Sequence, residues 1–97
     1  MSAPVISHPL SNAQIAHRLL DVAQRLAARG ENPFKVQAYR RAAQTIRHLG
    51  RSIDHVVRVG GNLTVYPNIG KGIAAALREI VFSGDLGQRE LPLRASE

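Results

Sequence analysis

Glycines divide the middle of this chain into short segments, and this spacing limits the possible folds more than any other feature of the sequence. Gly30, Gly50 and the pair Gly60–Gly61 each follow a stretch whose apolar residues recur at steps of three and four, which is the period of an amphipathic α-helix. Glycine readily adopts the backbone conformations that end a helix. A strand pattern covers no more than Thr64–Tyr66. We therefore expect an all-α fold, a compact four-helix bundle with one short additional turn.

Local signals predict where the helices begin and end. Ser11 or Asn12 can cap the first helix and Ser52 the third, because their side-chain oxygens accept hydrogen bonds from free first-turn amides. The dipeptide Asn32–Pro33 starts the second helix, and Gly84 ends the fourth. The predicted inward-facing residues are Ile15, Leu19, Val22, Ala23, Leu26 and Ala27 in the first helix, Phe34, Ala38, Ala42, Thr45, Ile46 and Leu49 in the second, Ile53, Val56 and Val57 in the third, and Ile73, Ala76, Leu77, Ile80 and Val81 in the fourth.

Length and composition limit the class of protein. A chain of 97 residues allows one domain, which we place at residues 11–86 between tails at 1–10 and 87–97. The absence of cysteine excludes disulfides and thiolate metal sites and fits a reducing compartment. The four histidines lack the spacing of zinc ligands. No secretory signal opens the chain, and its apolar runs are too short for a membrane span. We expect a cytoplasmic monomer with no membrane partner.

Positive charge is concentrated in one part of the chain. Thirteen Lys and Arg against seven Asp and Glu give a net charge of +6, which favours an anionic partner. Arg40 and Arg47 are two helical turns apart, so they point to the same side of the second helix. This surface is interpreted as facing phosphates, and an ordinary solvated basic face is the alternative. The segment between Glu31 and Asp54 contains no acid and these five basic residues: Lys35, Arg40, Arg41, Arg47 and Arg51.

The glycine-rich segment at residues 67–72, here called the hairpin, has the composition of a phosphate-binding turn. It leads into the fourth helix, so its backbone amides can point outward together at the positive end of that helix. Gly70 can take a positive φ without strain. Lys71 adds a point charge at the same place.

The side chains around this turn fit the same interpretation. Gly72 and Ala74 are small, which would let a sugar-phosphate backbone come close. Ile69 is the apolar residue expected to attach the hairpin to the core. A plain glycine-rich connection between two helices is the alternative interpretation.

Two stretches together resemble a known family. The stretches are residues 30–43, GENPFKVQAYRRAA, and residues 67–75, PNIGKGIAA. They are similar, respectively, to the second helix and the helix-hairpin-helix of the lyase-type N-terminal domain of family X DNA polymerases. That domain is DNA polymerase beta-like, and the resemblance is to its bacterial members in particular. The resemblance covers roughly residues 11–90. It implies a small helical module with one helix-hairpin-helix motif that binds gapped or single-stranded DNA.

The resemblance also implies which residues bind DNA. Lys35 and Tyr39 match positions that contact a 5′-phosphate, and Asn68, Gly70 and Gly72 match hairpin positions whose amides touch the DNA backbone. Asn68 stands where the family usually has the first hairpin glycine. Asparagine tolerates left-handed backbone better than other non-glycine residues, so the turn is expected to form.

The same resemblance implies one inorganic ligand. Backbone carbonyls near Thr64, Tyr66 and Ile69 match a site for a monovalent cation, Na⁺ or K⁺, that bridges the protein to a phosphate. No organic cofactor is implied.

One departure bears on catalysis. The lyase of the family uses a lysine on the helix after the hairpin to form a Schiff base, and the matching residue here is Ala76. Arg78 stays protonated and does not replace that lysine. We therefore expect no catalytic residue at this position.

The motifs and the charge distribution are compatible with three functions. The leading hypothesis is a DNA-binding module without sequence specificity, associated with the nucleoid and acting in repair or replication. The second is an abasic-site lyase using Lys35 or Lys71, or the N-terminal part of a family X polymerase. The third is an interaction module that docks onto repair proteins.

Overall fold

The computed structural model describes residues 9–83, and its helices confirm the all-α expectation. The elements are α1 (Asn12–Ala28), α2 (Pro33–His48), α3 (Ile53–Arg58), a 3₁₀ helix (Leu63–Val65) and α4 (Lys71–Ser83). No strand occurs within residues 9–83. The N-terminus of α1 lies beside the C-terminus of α2, so these two long helices pack antiparallel. In the described part of the chain, none of the helices has both the length and the apolar character needed to cross a membrane.

Helix α1 begins and ends where its sequence predicts. The Ser11 hydroxyl accepts from the Gln14 amide at 3.1 Å, and the Gln14 side chain accepts from the Ser11 amide at 2.8 Å, which forms a capping box. At the other end Gly30 has a φ of 74°, and the amide of Glu31 donates to the Leu26 carbonyl at 3.0 Å. This is the Schellman arrangement that left-handed glycine allows.

The core confirms most predicted inward residues but corrects the face of α2. Val36 and Ala43 are buried, whereas Phe34 is 85% exposed and Ala38 is exposed. Residues two positions apart point to nearly opposite sides of a helix, so Phe34 faces solvent once Val36 packs against α1. On α1, Ala27 is also exposed. The buried residues of the main core are Ile15, Ala16, Leu19, Ala42, Ala43, Ile46, Ile53, Val56, Val57, Leu63, Ile69, Ile73, Ala74, Leu77, Ile80 and Val81.

A buried carboxylate holds the start of the domain against α3. Asp54 is 1% exposed. Its two oxygens accept from the Leu10 amide at 2.9 Å and from the Arg58 Nε at 2.6 Å, so the buried charge is paired and hydrogen-bonded. The Leu10 side chain packs against the core. Leu10, which the prediction placed in the N-terminal tail, thus contacts α3 and the core. Residues 1–8 and 84–97, including Gly84, lie outside the described residues.

Asn12 joins three elements rather than capping a helix. Its Nδ2 donates to the carbonyls of Leu49 at 3.3 Å and Arg51 at 2.8 Å, and its Oδ1 accepts from the Ile53 amide at 2.9 Å. One side chain in the first turn of α1 thus fixes the connection between α2 and α3.

Candidate nucleic-acid interface

The segment before the hairpin is helical rather than extended. Asn62 caps the 3₁₀ helix, since its Oδ1 accepts from the Thr64 amide at 3.0 Å and from the Thr64 hydroxyl at 2.7 Å. The amide of Tyr66 donates to the Leu63 carbonyl at 3.2 Å. The one strand-like stretch in the sequence therefore forms a tight 3₁₀ turn, which leads the chain from α3 into the hairpin.

The left-handed residue of the hairpin is Asn68, with a φ of 64°. Gly70 could take a positive φ without strain but does not, since among the described glycines only Gly30 and Gly60 have positive φ. The Asn68 Nδ2 donates to the Thr45 hydroxyl of α2 at 3.0 Å. Asparagine is among the residues that enter left-handed backbone most readily, and here its side chain also attaches the turn to α2.

The apolar residue of the hairpin does attach it to the core, as predicted. Ile69 is 3% exposed and belongs to the main cluster. Its amide donates to the Tyr66 carbonyl at 3.3 Å. Tyr66 packs against the same cluster as a half-buried side chain. The hairpin is therefore held from two sides, by Ile69 beneath and Asn68 at the side.

Free backbone amides lie at the start of α4. The Gly70 carbonyl accepts from the Ala74 amide at 2.8 Å, so Gly70 is the capping position of the helix. Within residues 9–83, no hydrogen-bond partner is found for the amides of Gly70, Lys71 and Gly72. Unpaired amides at a helix N-terminus, together with the helix dipole, attract an anion.

The surface in front of these amides is open. A Cβ placed on Gly70 or Gly72 would meet nothing within 4 Å, and the Lys71 side chain is exposed. The prediction that Ala74 also faces an approaching backbone is wrong, because Ala74 is 1% exposed. It lies one turn before Leu77 and faces the core with it.

Two of the predicted residues of α2 lie apart from the hairpin. Thr45 marks the side of α2 on which the hairpin packs. Successive residues of a helix turn by about 100°, so Arg40 and Arg47 lie about 140° and 160° around the axis from Thr45. Both are exposed. The structure therefore does not bring Arg40 and Arg47 together with the hairpin.

Arg40 and Arg47 instead line a groove between α1 and α2, here called the arginine groove. It has a volume of about 360 Å³. The residues that line it are Leu20, Gln37, Arg40, Arg41, Ala43, Gln44 and Arg47.

Lys35 and Tyr39 occupy different environments on α2. Lys35 is exposed in the first turn. Tyr39 is half-buried and packs against both core clusters, so much of its ring supports the contact between the helices.

Phe34, which was predicted to face the core, lies within about 20° of Thr45 around the helix axis. It is therefore on the hairpin side of α2. The sequence carried a signal for this, because Phe34 and Val36 cannot both face the core.

Comparison with known families identifies the fold. The family profile described as a helix-hairpin-helix domain matches residues 10–86. The chain belongs to the helix-hairpin-helix family. Such domains generally bind DNA without sequence specificity. No curated protein and no solved structure matched the chain significantly.

In this helix-hairpin-helix domain, the position that matches the Schiff-base lysine is buried. Ala76 is 6% exposed and faces the core side of α4, so it presents neither an amine nor an accessible surface. Lys71 stands five residues earlier, on the first turn of the same helix. The structure thus places no lysine where the resemblance would require the nucleophile.

The carbonyls assigned to a monovalent cation belong to one short, fixed turn. The Tyr66 carbonyl accepts one hydrogen bond, from Ile69, and a carbonyl oxygen has a second lone pair for a cation. Thr64 is exposed beside it. Carbonyl oxygens suit hard cations, so the residues fit a Na⁺ or K⁺ site, which stays a prediction. Groups of three or more His, Cys, Asp or Glu able to hold a metal ion are absent from the described residues.

Proposed function

We propose that this helix-hairpin-helix domain holds the phosphate backbone of DNA at the hairpin and prefers single-stranded, gapped or 5′-phosphorylated ends. The observation that carries the proposal is the row of unpaired amides at Gly70, Lys71 and Gly72. The resemblance to the N-terminal domain of family X polymerases supports a role in DNA repair or replication, in the cytoplasm and at the nucleoid.

The hairpin suits the phosphate backbone of DNA rather than base edges. Its amides donate hydrogen bonds to oxygen without regard to the base sequence, and Lys71 supplies a full positive charge that is exposed beside them. Because Asn68 and Ile69 already fix the turn, little conformational entropy is lost when a phosphate binds.

A preference for unpaired DNA follows from Phe34. An aromatic ring that is 85% exposed is available for stacking with an unpaired base, which the stacked bases of an intact duplex do not offer. Lys35 is exposed next to it in the first turn of α2. Phe34 and Lys35 together fit the unpaired base and the phosphate that meet at a gap or a 5′ end.

The proposal is tested by measuring DNA affinity at several salt concentrations with fluorescence anisotropy. The DNA panel contains single-stranded, nicked, gapped and 5′-phosphorylated gapped molecules. If about four phosphates are neutralised, log affinity falls with log salt at a slope of roughly −3 to −4. An affinity that does not change with salt contradicts the proposal.

Charge reversal at the hairpin provides the residue-specific part of the test. Lys71→Glu should weaken binding to all of these DNAs. Arg25→Glu is the matched control. Arg25 is exposed on α1, and its substitution changes the net charge by the same amount. Equal losses in the two variants show a general charge effect and overturn the assignment of the hairpin, provided that circular dichroism shows both variants folded.

A further inference from the structure

The arginine groove contains three guanidinium groups that the protein leaves unneutralised. In the part of the chain that the structure describes, Arg40, Arg41 and Arg47 make no ion pair and no side-chain hydrogen bond. No acidic residue lines the groove. Like charges at neighbouring positions of a helix repel one another, so this arrangement is most stable when an anion occupies the groove.

The chemistry of the groove fits a phosphate chain better than an acidic peptide. Arginine and glutamine side chains both donate to phosphate oxygens, and Gln37 and Gln44 line the same groove as the arginines. A helical peptide that docks in a groove relies on several apolar anchors along one face. The one large apolar residue of the lining is Leu20, which is 36% exposed, so the groove lacks the series of apolar pockets that such a helix needs.

Two of the three groove arginines point away from the hairpin, whereas Arg41 lies about 40° around α2 from Thr45. Arg40 and Arg47 lie about 140° and 160° around α2 from Thr45, the residue that the hairpin contacts. A straight DNA segment bound at the hairpin therefore leaves these two arginines facing solvent. We infer that the arginine groove holds a second segment of DNA, so that one chain bridges two DNA segments. This inference rests on the proposed function, because the hairpin must hold the first segment.

Bridging is measured by energy transfer between two short gapped duplexes, one carrying a donor dye and the other an acceptor. Addition of the chain should raise the transfer, and an excess of chain should lower it again as each duplex binds its own chain. Sedimentation velocity should show a complex of one chain with two duplexes. A complex of two chains with two duplexes overturns the inference, since a chain dimer would then make the bridge.

The variant Arg40→Gln with Arg47→Gln should reduce the transfer at least 10-fold while changing the affinity for a single duplex less than 3-fold. The control Arg25→Gln with Arg29→Gln removes the same charge from exposed positions of α1 and its end, and should keep the transfer. Equal loss of transfer in both variants overturns the inference. So does a loss of single-duplex affinity that matches the loss of transfer, because the groove would then belong to one continuous surface.

Two other outcomes separate this inference from the proposed function. Binding of one duplex with no transfer at any ratio overturns the bridging inference and leaves the hairpin assignment intact. Failure to bind any DNA overturns the proposed function itself. If a glutamate-rich peptide binds with a dependence on Arg40 and Arg47 while no bridging occurs, the groove is a protein-docking site and the inference is wrong.

Discussion

Asn68 performs two structural tasks in the hairpin, and substitution separates them. It holds a φ of 64°, and its side chain donates to the Thr45 hydroxyl. Asn68→Ala loses the hydrogen bond and also places a less tolerant residue in left-handed backbone. Asn68→Gly loses the hydrogen bond but accepts the backbone conformation. Thr45→Val keeps the shape of the side chain and removes only the hydroxyl.

The expected losses of unfolding free energy differ among these variants. One exposed hydrogen bond contributes roughly 0.5–1 kcal/mol, which sets the loss for Thr45→Val. Left-handed backbone costs alanine about 1 kcal/mol more than it costs asparagine, so Asn68→Ala should lose roughly 1.5–2 kcal/mol. Asn68→Gly should lose about 1 kcal/mol, because glycine is unstrained there but gives the unfolded chain more freedom.

Urea denaturation followed by helical circular dichroism measures these differences. For a domain of this size the dependence on denaturant is roughly 1 kcal/mol per molar urea, so Asn68→Ala should shift the midpoint by about 2 M. If Asn68→Gly loses as much stability as Asn68→Ala, backbone conformation is not the cause. If Thr45→Val loses nothing, the contact with α2 does not stabilise the hairpin.

Three further predictions concern DNA binding and catalysis. Gly72→Ala should stabilise the fold by roughly 0.5–1 kcal/mol, because a Cβ at this position meets no atom within 4 Å. The same methyl group should weaken DNA binding about 10-fold by blocking a phosphate. Stronger DNA binding would contradict the assignment of the hairpin as the phosphate site. Phe34→Ala should leave the urea midpoint nearly unchanged and weaken single-stranded binding about 5-fold or more, and an equal loss on intact duplex would argue against stacking. Borohydride reduction with a 5′-deoxyribose-phosphate substrate should trap no adduct, because Ala76 has no amine to form a Schiff base. A trapped adduct on Lys35 or Lys71 would support the lyase hypothesis.

The helix ends could be predicted from sequence because their causes are local. The Ser11 capping box and the cap at Asn32, whose Oδ1 accepts from the Phe34 amide at 2.8 Å, involve residues within three positions of one another. Ser52 likewise accepts from the His55 amide at 3.1 Å. Short-range hydrogen bonds of this kind do not depend on how the helices pack.

The errors arose where packing decides. Phe34 has the hydrophobicity of a core residue, but α1 covers the other side of α2 and leaves the ring exposed. The residue type of Asn68 indicated that it tolerates left-handed backbone, but not that its side chain contacts Thr45. The separation of Arg40 from the hairpin depends on which side of α2 the hairpin packs. Tertiary contacts set all three, and the sequence held a local signal only for the first, since Phe34 and Val36 cannot both face the core.

The bonds made by Asn12 have a consequence for how the domain opens. They join residues that are 37 to 41 positions apart, so α1 cannot detach without releasing the connection to α3. Local fraying of the first turn and opening of that connection should therefore occur as a single cooperative event. In hydrogen exchange, the amide of Ile53 should exchange only when the first turn of α1 opens, although the two lie far apart in the chain.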